Sequence, residues 1–173
     1  KCEGNGYLDE AGQILHLFRP DNEITRAELL IMIMKCSGYD PAVVTEKPFP
    51  DVEIGHWSAS WVEQAKLFGI IHGYGDGTFR PDHPASRAEA LKMILLAQYP
   101  PEVIDLEAQN SLCQDLDPEA WYLQYFYFGV ERGIINGYKD GNGSITGECA
   151  PDNHITRAET AKIIIEGLMD DFV

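Results

Sequence analysis

Apolar residues recur at helical spacing in two kinds of segment. In the first kind, Trp57, Trp61, Ala65 and Phe68 fall about a turn apart, as do Trp121, Tyr125 and Phe128. Each set predicts an amphipathic helix. Gly69 and Gly133 follow, where a helix ends on a residue that tolerates a left-handed backbone. In the second kind the apolar positions crowd together. The run Leu29 to Met34 is apolar all round, which predicts a helix buried on most sides. Three such helices are expected, opening at Thr25, Ser86 and Thr156. Each of these residues has a Glu three positions on, at Glu28, Glu89 and Glu159. That pattern is a capping box, in which the hydroxyl accepts from an orphan N–H and the Glu reaches back to the cap backbone. The predicted helices span residues 25–36, 57–68, 86–97, 121–132 and 156–168. Residues 39–48 and 99–112, with prolines at 41, 48, 100 and 101, read as linkers.

The helix starts belong to a repeat. Ile24-Thr25-Arg26-Ala27-Glu28, Ala85-Ser86-Arg87-Ala88-Glu89 and Ile155-Thr156-Arg157-Ala158-Glu159 share one pattern, and Pro-Asp precedes each at 20–21, 81–82 and 151–152. Gly-Tyr-x-Asp recurs upstream at 6–9, 73–76 and 137–140, with 20, 14 and 20 residues from its Gly to the Arg. Units one and three therefore share a six-residue insertion. Units two and three extend further back, where Phe49-Pro50-Asp51 matches Cys113-Gln114-Asp115 and Trp57 matches Trp121. Unit one has no counterpart of that first segment, so it reads as truncated, within a longer protein. The expected organisation is mainly α: three helix-loop-helix repeats, 1–38, 49–98 and 112–169, forming one compact domain.

Composition narrows the function. Of 173 residues, 28 are Asp or Glu and 13 are Lys or Arg, a net charge of -15. This argues against nucleic acid and anionic membrane as partners, since both need a basic face. The longest apolar run has six residues, far short of a membrane span, and the first residues lack the apolar core of a signal peptide. Cys2, Cys36, Cys113 and Cys149 show no CxxC spacing and no His at zinc-finger distance, which argues against structural zinc. Two disulfides, and an oxidising compartment, are the natural reading; four buried thiols are the alternative. In the repeat register Cys113 replaces Phe49 and Cys149 replaces Phe79. A 113–149 disulfide would then supply the contact that two aromatic rings make in unit two. Cys2 and Cys36 remain as a second pair.

Several repeated side chains are candidates for chemistry. Arg26, Arg87 and Arg157 occupy the first helical position, where the macrodipole disfavours a cation. One explanation is an ion pair with the nearby Asp21, Asp82 or Asp152, or with another loop carboxylate. The other is an anion site, built from helix N–H groups and a guanidinium fork. Each Glu is explained by its capping box. Trp57 and Trp121, at the start of amphipathic helices, read more often as core than as surface, but an aromatic face also stacks on a sugar ring. Asp51 and Asp115 read as caps of the helix or of its preceding turn. The insertion 140–148 has oxygen side chains at alternate positions, like a calcium loop, but lacks the final bidentate Glu. A Gly-rich turn is favoured there, and no cofactor or metal is expected.

Together these motifs resemble the S-layer homology domain. The run Phe49-Pro50-Asp51 … Trp57 … Gly69-Ile70-Ile71-His72-Gly73-Tyr74-Gly75-Asp76-Gly77-Thr78-Phe79-Arg80-Pro81-Asp82 … Ser86-Arg87-Ala88-Glu89 carries the likeness most fully. Unit three matches well and unit one in part. The resemblance implies a pseudo-threefold, three-pronged spindle of helices at the bacterial cell surface. It also implies binding of a secondary cell wall polysaccharide, typically with pyruvate ketals, in grooves between prongs. On that basis Arg26, Arg87, Arg157, Asp51, Asp115, Trp57 and Trp121 are the expected ligand-binding residues, with Arg87 the strongest contact. The competing reading is a structural module that packs against other surface-layer subunits and binds no sugar. No nucleophile–base pair or paired carboxylates recur, so catalysis is not expected.

Overall fold

The computed structural model describes residues 17–104 and 112–169. Five helices form: α1 Arg26–Cys36, α2 Ala59–Leu67, α3 Arg87–Gln98, α4 Leu123–Glu131 and α5 Arg157–Met169, with one 3-10 turn at Pro101–Val103. Among the described residues no sheet forms; strand pairing is confined to isolated bridges. The fold is mainly α, as the periodicity predicts.

The second helix of each unit starts where its box dictates. The Glu28 N–H donates to Thr25 Oγ1 and the Thr25 N–H to Glu28 Oε2. The same reciprocal bonds form at Ser86/Glu89 and Thr156/Glu159. Helices α2 and α4 start two residues later than expected, and Trp57 and Trp121 lie in the turns just before them. Their N-cap positions, Ser58 and Tyr122, make no capping side-chain bond. Instead Ser58 Oγ lies 2.8 Å from His56 Nδ1. Gly69 ends α2 at φ +70, and the Ile70 N–H reaches back to the Ala65 carbonyl.

The three units meet on a pseudo-threefold axis that the backbone itself closes. The Ile24 N–H donates to the Ile155 carbonyl, Ile155 to Ala85, and Ala85 to Ile24. Around this ring the first N–H groups of each box helix find partners in the preceding Pro-Asp loop of another unit. Arg26 and Ala27 donate to His83 and Pro81; Arg87 and Ala88 to Asn153 and Pro151; Arg157 and Ala158 to Asn22 and Pro20. Orphan donors at three helix starts are thus satisfied by exchange between units. Helices α1, α3 and α5 pack on one another around the axis, while α2 packs on α1 and α4 on α3.

Among the described residues α5 has no such covering helix. Met34 and Leu95 are 0% exposed on α1 and α3, whereas Ile165, at the same register on α5, is 52% exposed. The difference is the surface that α2 and α4 cover on the other two units.

The cysteine expectation holds in unit three. Cys113 and Cys149 are joined, with Cα atoms 5.4 Å apart. Phe49 and Phe79 stack at the equivalent place in unit two, with ring centroids 5.7 Å apart. Of the other expected pair, Cys2 lies outside the described residues, and Cys36 is disulfide-bonded.

Candidate functional site

The motif arginines have partners other than the expected Asp21, Asp82 and Asp152. Each reaches across the axis to the capping-box Glu of the next unit. Arg26 Nη1 lies 3.1 Å from Glu89, Arg87 Nη1 3.0 Å from Glu159, and Arg157 Nη1 3.7 Å from Glu28. Each Arg Nε also donates to a carbonyl of a neighbouring unit: Arg26 to Phe79, Arg87 to Cys149 and Arg157 to Phe18. The guanidinium of Arg26 lies over the rings of Tyr74 and Phe79, that of Arg87 over Tyr138, and that of Arg157 over Phe18. Sequence reasoning assigned the Glu only its cap. In fact one carboxylate both caps its own helix and neutralises another unit's cation. Arg26 and Arg87 are only 4% and 8% exposed.

The Tyr of Gly-Tyr-x-Asp completes the relay, a role its turn sequence concealed. Tyr74 Oη donates to Glu89 and Tyr138 Oη to Glu159. Burial and the Glu89 bond push Tyr74 up to about 12, against the opposing pull of Arg26. Burial would raise the Glu159 pKa, but donors from Thr156 and Tyr138, with Arg87, outweigh it and hold it below the usual value. Glu159 therefore stabilises the fold above the ordinary carboxylate range, and this contribution is lost as pH falls through the lowered value.

Asp51 and Asp115 are not helix caps. The two oxygens of Asp51 accept from the N–H groups of Phe79 and Arg80, and those of Asp115 from Cys149 and Ala150. Arg80 and Ala150 have φ of 58 and 45, a left-handed conformation unusual for non-glycine residues. Each Asp thus clamps a strained turn just before the Pro-Asp loop. Asp51→Ala should lower stability by about 1–3 kcal/mol by orphaning two N–H groups. Chemical denaturation measures this, and an unchanged midpoint would mean the clamp is dispensable.

Trp57 and Trp121 lie on the surface, 58% and 54% exposed, against the commoner core reading. Trp121 borders a groove between α3 and α4. There Lys92 Nζ lies 5.2 Å from the Trp121 ring and 5.7 Å from that of Tyr125. Burial, and then the nearby Arg26, lower the Lys92 pKa. Lys92 was missed by sequence reasoning. Its signal was there: Lys92 and Lys162 both stand five residues after the motif Arg. All three units meet near here: Lys92 of the second lies by Trp121 and Tyr125 of the third, and Arg26 of the first is close enough to act on it electrostatically.

The insertion of unit three is a short hairpin. Asp140 Oδ1 accepts from the N–H groups of Asn142 and Ser144, so the loop's leading carboxylate is spent on its own turn. Among the described residues no group of three or more His, Cys, Asp or Glu is arranged to hold a metal.

Helices packed around a pseudo-threefold axis, with Arg–Glu bridges at the same register between units, define a tandem-repeat domain. The sequence pattern of the S-layer homology domain matches residues 48–91 and 115–161, over half of the chain. The chain belongs to that family. It is 29% identical over 159 residues to cell surface glycoprotein 1 of Acetivibrio thermocellus, covering 87% of this chain and 7% of that protein. It is 32% identical over 160 residues to the cellulosome-anchoring protein of the same organism, covering 88% of this chain and 33% of that protein. The surface-layer 125 kDa protein of Lysinibacillus sphaericus is 35% identical over 99 residues, 57% of this chain and 7% of that protein. The chain thus spans a third or less of the length of these relatives.

Proposed function

We propose that the three repeats, 1–38, 49–98 and 112–169, act as one non-catalytic module that anchors a longer protein at the bacterial cell surface by binding an acidic cell wall polysaccharide. The observation that carries this reading is the α3–α4 groove, where an ammonium group lies within 6 Å of two aromatic rings. Trp121 offers an apolar face for a sugar ring, and Lys92 offers charge for a carboxylate. Cell-surface and anchoring relatives support the location. Among the described residues no helix is long and apolar enough to cross a membrane.

The net charge of -15 opposes an anionic polymer at long range, but salt screens that repulsion within about 8–10 Å. At contact the groove presents an unpaired cation. The strongest contact therefore belongs to the Arg26–Lys92–Trp121 groove rather than to Arg87. Arg87 lies beside α5, where no described helix supplies an aromatic wall. Asp51 and Asp115 act by holding the loops, and Arg157 pairs with Glu28 of the first unit.

The test is a pull-down with purified cell wall, before and after chemical removal of pyruvate and other acidic substituents. Stripping the acid groups should abolish most binding. Lys92→Ala should weaken binding by roughly 10- to 150-fold, the worth of a charge-assisted hydrogen bond of about 1.5–3 kcal/mol. Because its pKa is lowered, Lys92 loses its proton at lower pH than an exposed lysine. Binding should accordingly decline as pH rises through that value, and Lys92→Arg should extend it to higher pH. Equal retention by native and stripped wall would instead favour the structural module that binds no acidic sugar.

A further inference from the structure

We propose that Asn142, at the tip of the unit-three hairpin, is the attachment point of an N-linked oligosaccharide. This shares with the proposed function only the location outside the cell, and it does not depend on the α3–α4 groove. The hairpin reads Asp140-Gly141-Asn142-Gly143-Ser144. Asn-x-Ser, with x other than Pro, is an acceptor pattern for N-glycosylation and belongs on the surface of an exported protein. The chain has six asparagines, at 5, 22, 110, 136, 142 and 153, and only Asn142 is followed two residues on by Ser or Thr. The one match falls in an insertion that unit two lacks.

The local geometry offers that residue to solvent. Lys139 bridges Ile145, the Gly143 N–H donates to the Asp140 carbonyl, and the Asp140 N–H to the Ser144 carbonyl. Asn142 is thus the third residue of a tight four-residue turn. The N–H groups of Asn142 and Ser144 share Asp140 Oδ1, each at 2.9 Å, so one carboxylate holds both motif residues on the same turn. Every residue from 139 to 146 is exposed. A methyl group on Gly141 or Gly143 would meet nothing within 4 Å beyond its chain neighbours, so a sugar on Asn142 has open space around it. Other asparagines are differently used. Asn136 Nδ2 donates to the Gly133 carbonyl, and the Asn153 carbonyl accepts from the Arg87 N–H at the axis.

Attachment is a substitution at an anomeric carbon, carried out by a separate transferase on an oligosaccharide linked to lipid through diphosphate. Asn142 Nδ2 forms the bond to C1. The C1–O bond breaks with its electron pair on the departing lipid diphosphate, and one Nδ2 proton passes to a base. A sugar chain needs solvent around it, so the tip of unit three stands clear of neighbouring subunits.

The experiment is peptide mapping by mass spectrometry of the full-length protein taken from the surface of the cells that make it, with the Cys113–Cys149 bond reduced first. Cleavage after Lys139 and Arg157 gives the peptide 140–157. Electron-transfer fragmentation should place a hexose- or hexosamine-containing mass on Asn142. Asn142→Gln and Ser144→Ala should each remove it, and Ser144→Thr should keep it. All three variants should melt with the native protein, because both positions are exposed. A bare Asn142 in the native surface protein overturns the proposal. So does sugar placed on Ser144 or Thr146, or sugar on this peptide that survives Asn142→Gln. Wall binding is read separately, so its failure would leave each of these outcomes decisive.

Discussion

Glu89→Ala should destabilise the domain by about 3–5 kcal/mol, the usual cost of leaving one member of a buried ion pair alone. Glu89 accepts from Arg26 Nη1, from Tyr74 Oη and from the Ser86 N–H. The side chains of Arg26 and Glu89 are 5% and 15% exposed, so little water can replace the lost carboxylate. Its removal takes away the Glu half of the α3 capping box, orphans the Tyr74 hydroxyl and leaves the Arg26 guanidinium over two rings with only the Phe79 carbonyl to face. Glu28→Ala is the internal control. Its partner Arg157 stands 3.7 Å away, and the two side chains are 12% and 31% exposed. Loss of that ion pair should cost only about 1 kcal/mol, since longer and wetter pairs contribute little, and loss of the Thr25 cap bond about as much again. Urea unfolding at neutral pH distinguishes the two variants. Equal losses would show that the Arg–Glu bridges contribute no more than their caps.

Breaking the Cys113–Cys149 bond should cost about 3–4 kcal/mol by the loop-entropy relation, for a sequence separation of 36. The closed loop holds α4 and the insertion, and two site elements converge on Cys149. Its carbonyl accepts from Arg87 Nε, and its N–H donates to Asp115. The bond therefore fixes both the third-unit clamp and the Arg87–Glu159 bridge. Cys113→Ala with Cys149→Ala should lower the melting temperature by roughly 2–4 °C per kcal/mol lost. Cys113→Phe with Cys149→Phe should recover part of this, because Phe49 and Phe79 already fill the same space in unit two. If the alanine pair melts with the native protein, the bridge is not structural; if the phenylalanine pair melts below it, the unit-three site cannot take the rings.

Local chemistry made much of this legible from residues alone. Capping boxes at Thr25, Ser86 and Thr156 each depend on two side chains three positions apart, so the helix starts were readable. The 113–149 bond was readable because repetition turns sequence register into spatial register: what Phe49 touches, Cys113 must touch. The starts of α2 and α4 were missed by two residues, because an exposed Trp at a turn has the same spacing as a buried Trp in a helix. The partners of the arginines were missed for a different reason. Asp21 is five residues from Arg26 and Glu89 is sixty-three, and nothing within one repeat says that its ions pair across the axis.

The same division holds for the candidate site. Repeats, helices, family and disulfide register follow from the sequence, because each is settled by periodicity or by chemistry between near neighbours. Which Glu neutralises which Arg, that Asp51 and Asp115 clamp distant turns, that Trp57 and Trp121 face solvent, and that Lys92 meets Trp121 were decided only by the tertiary structure. These features arise where three units meet, and a contact between units depends on how helices pack around the axis, which no local pattern encodes.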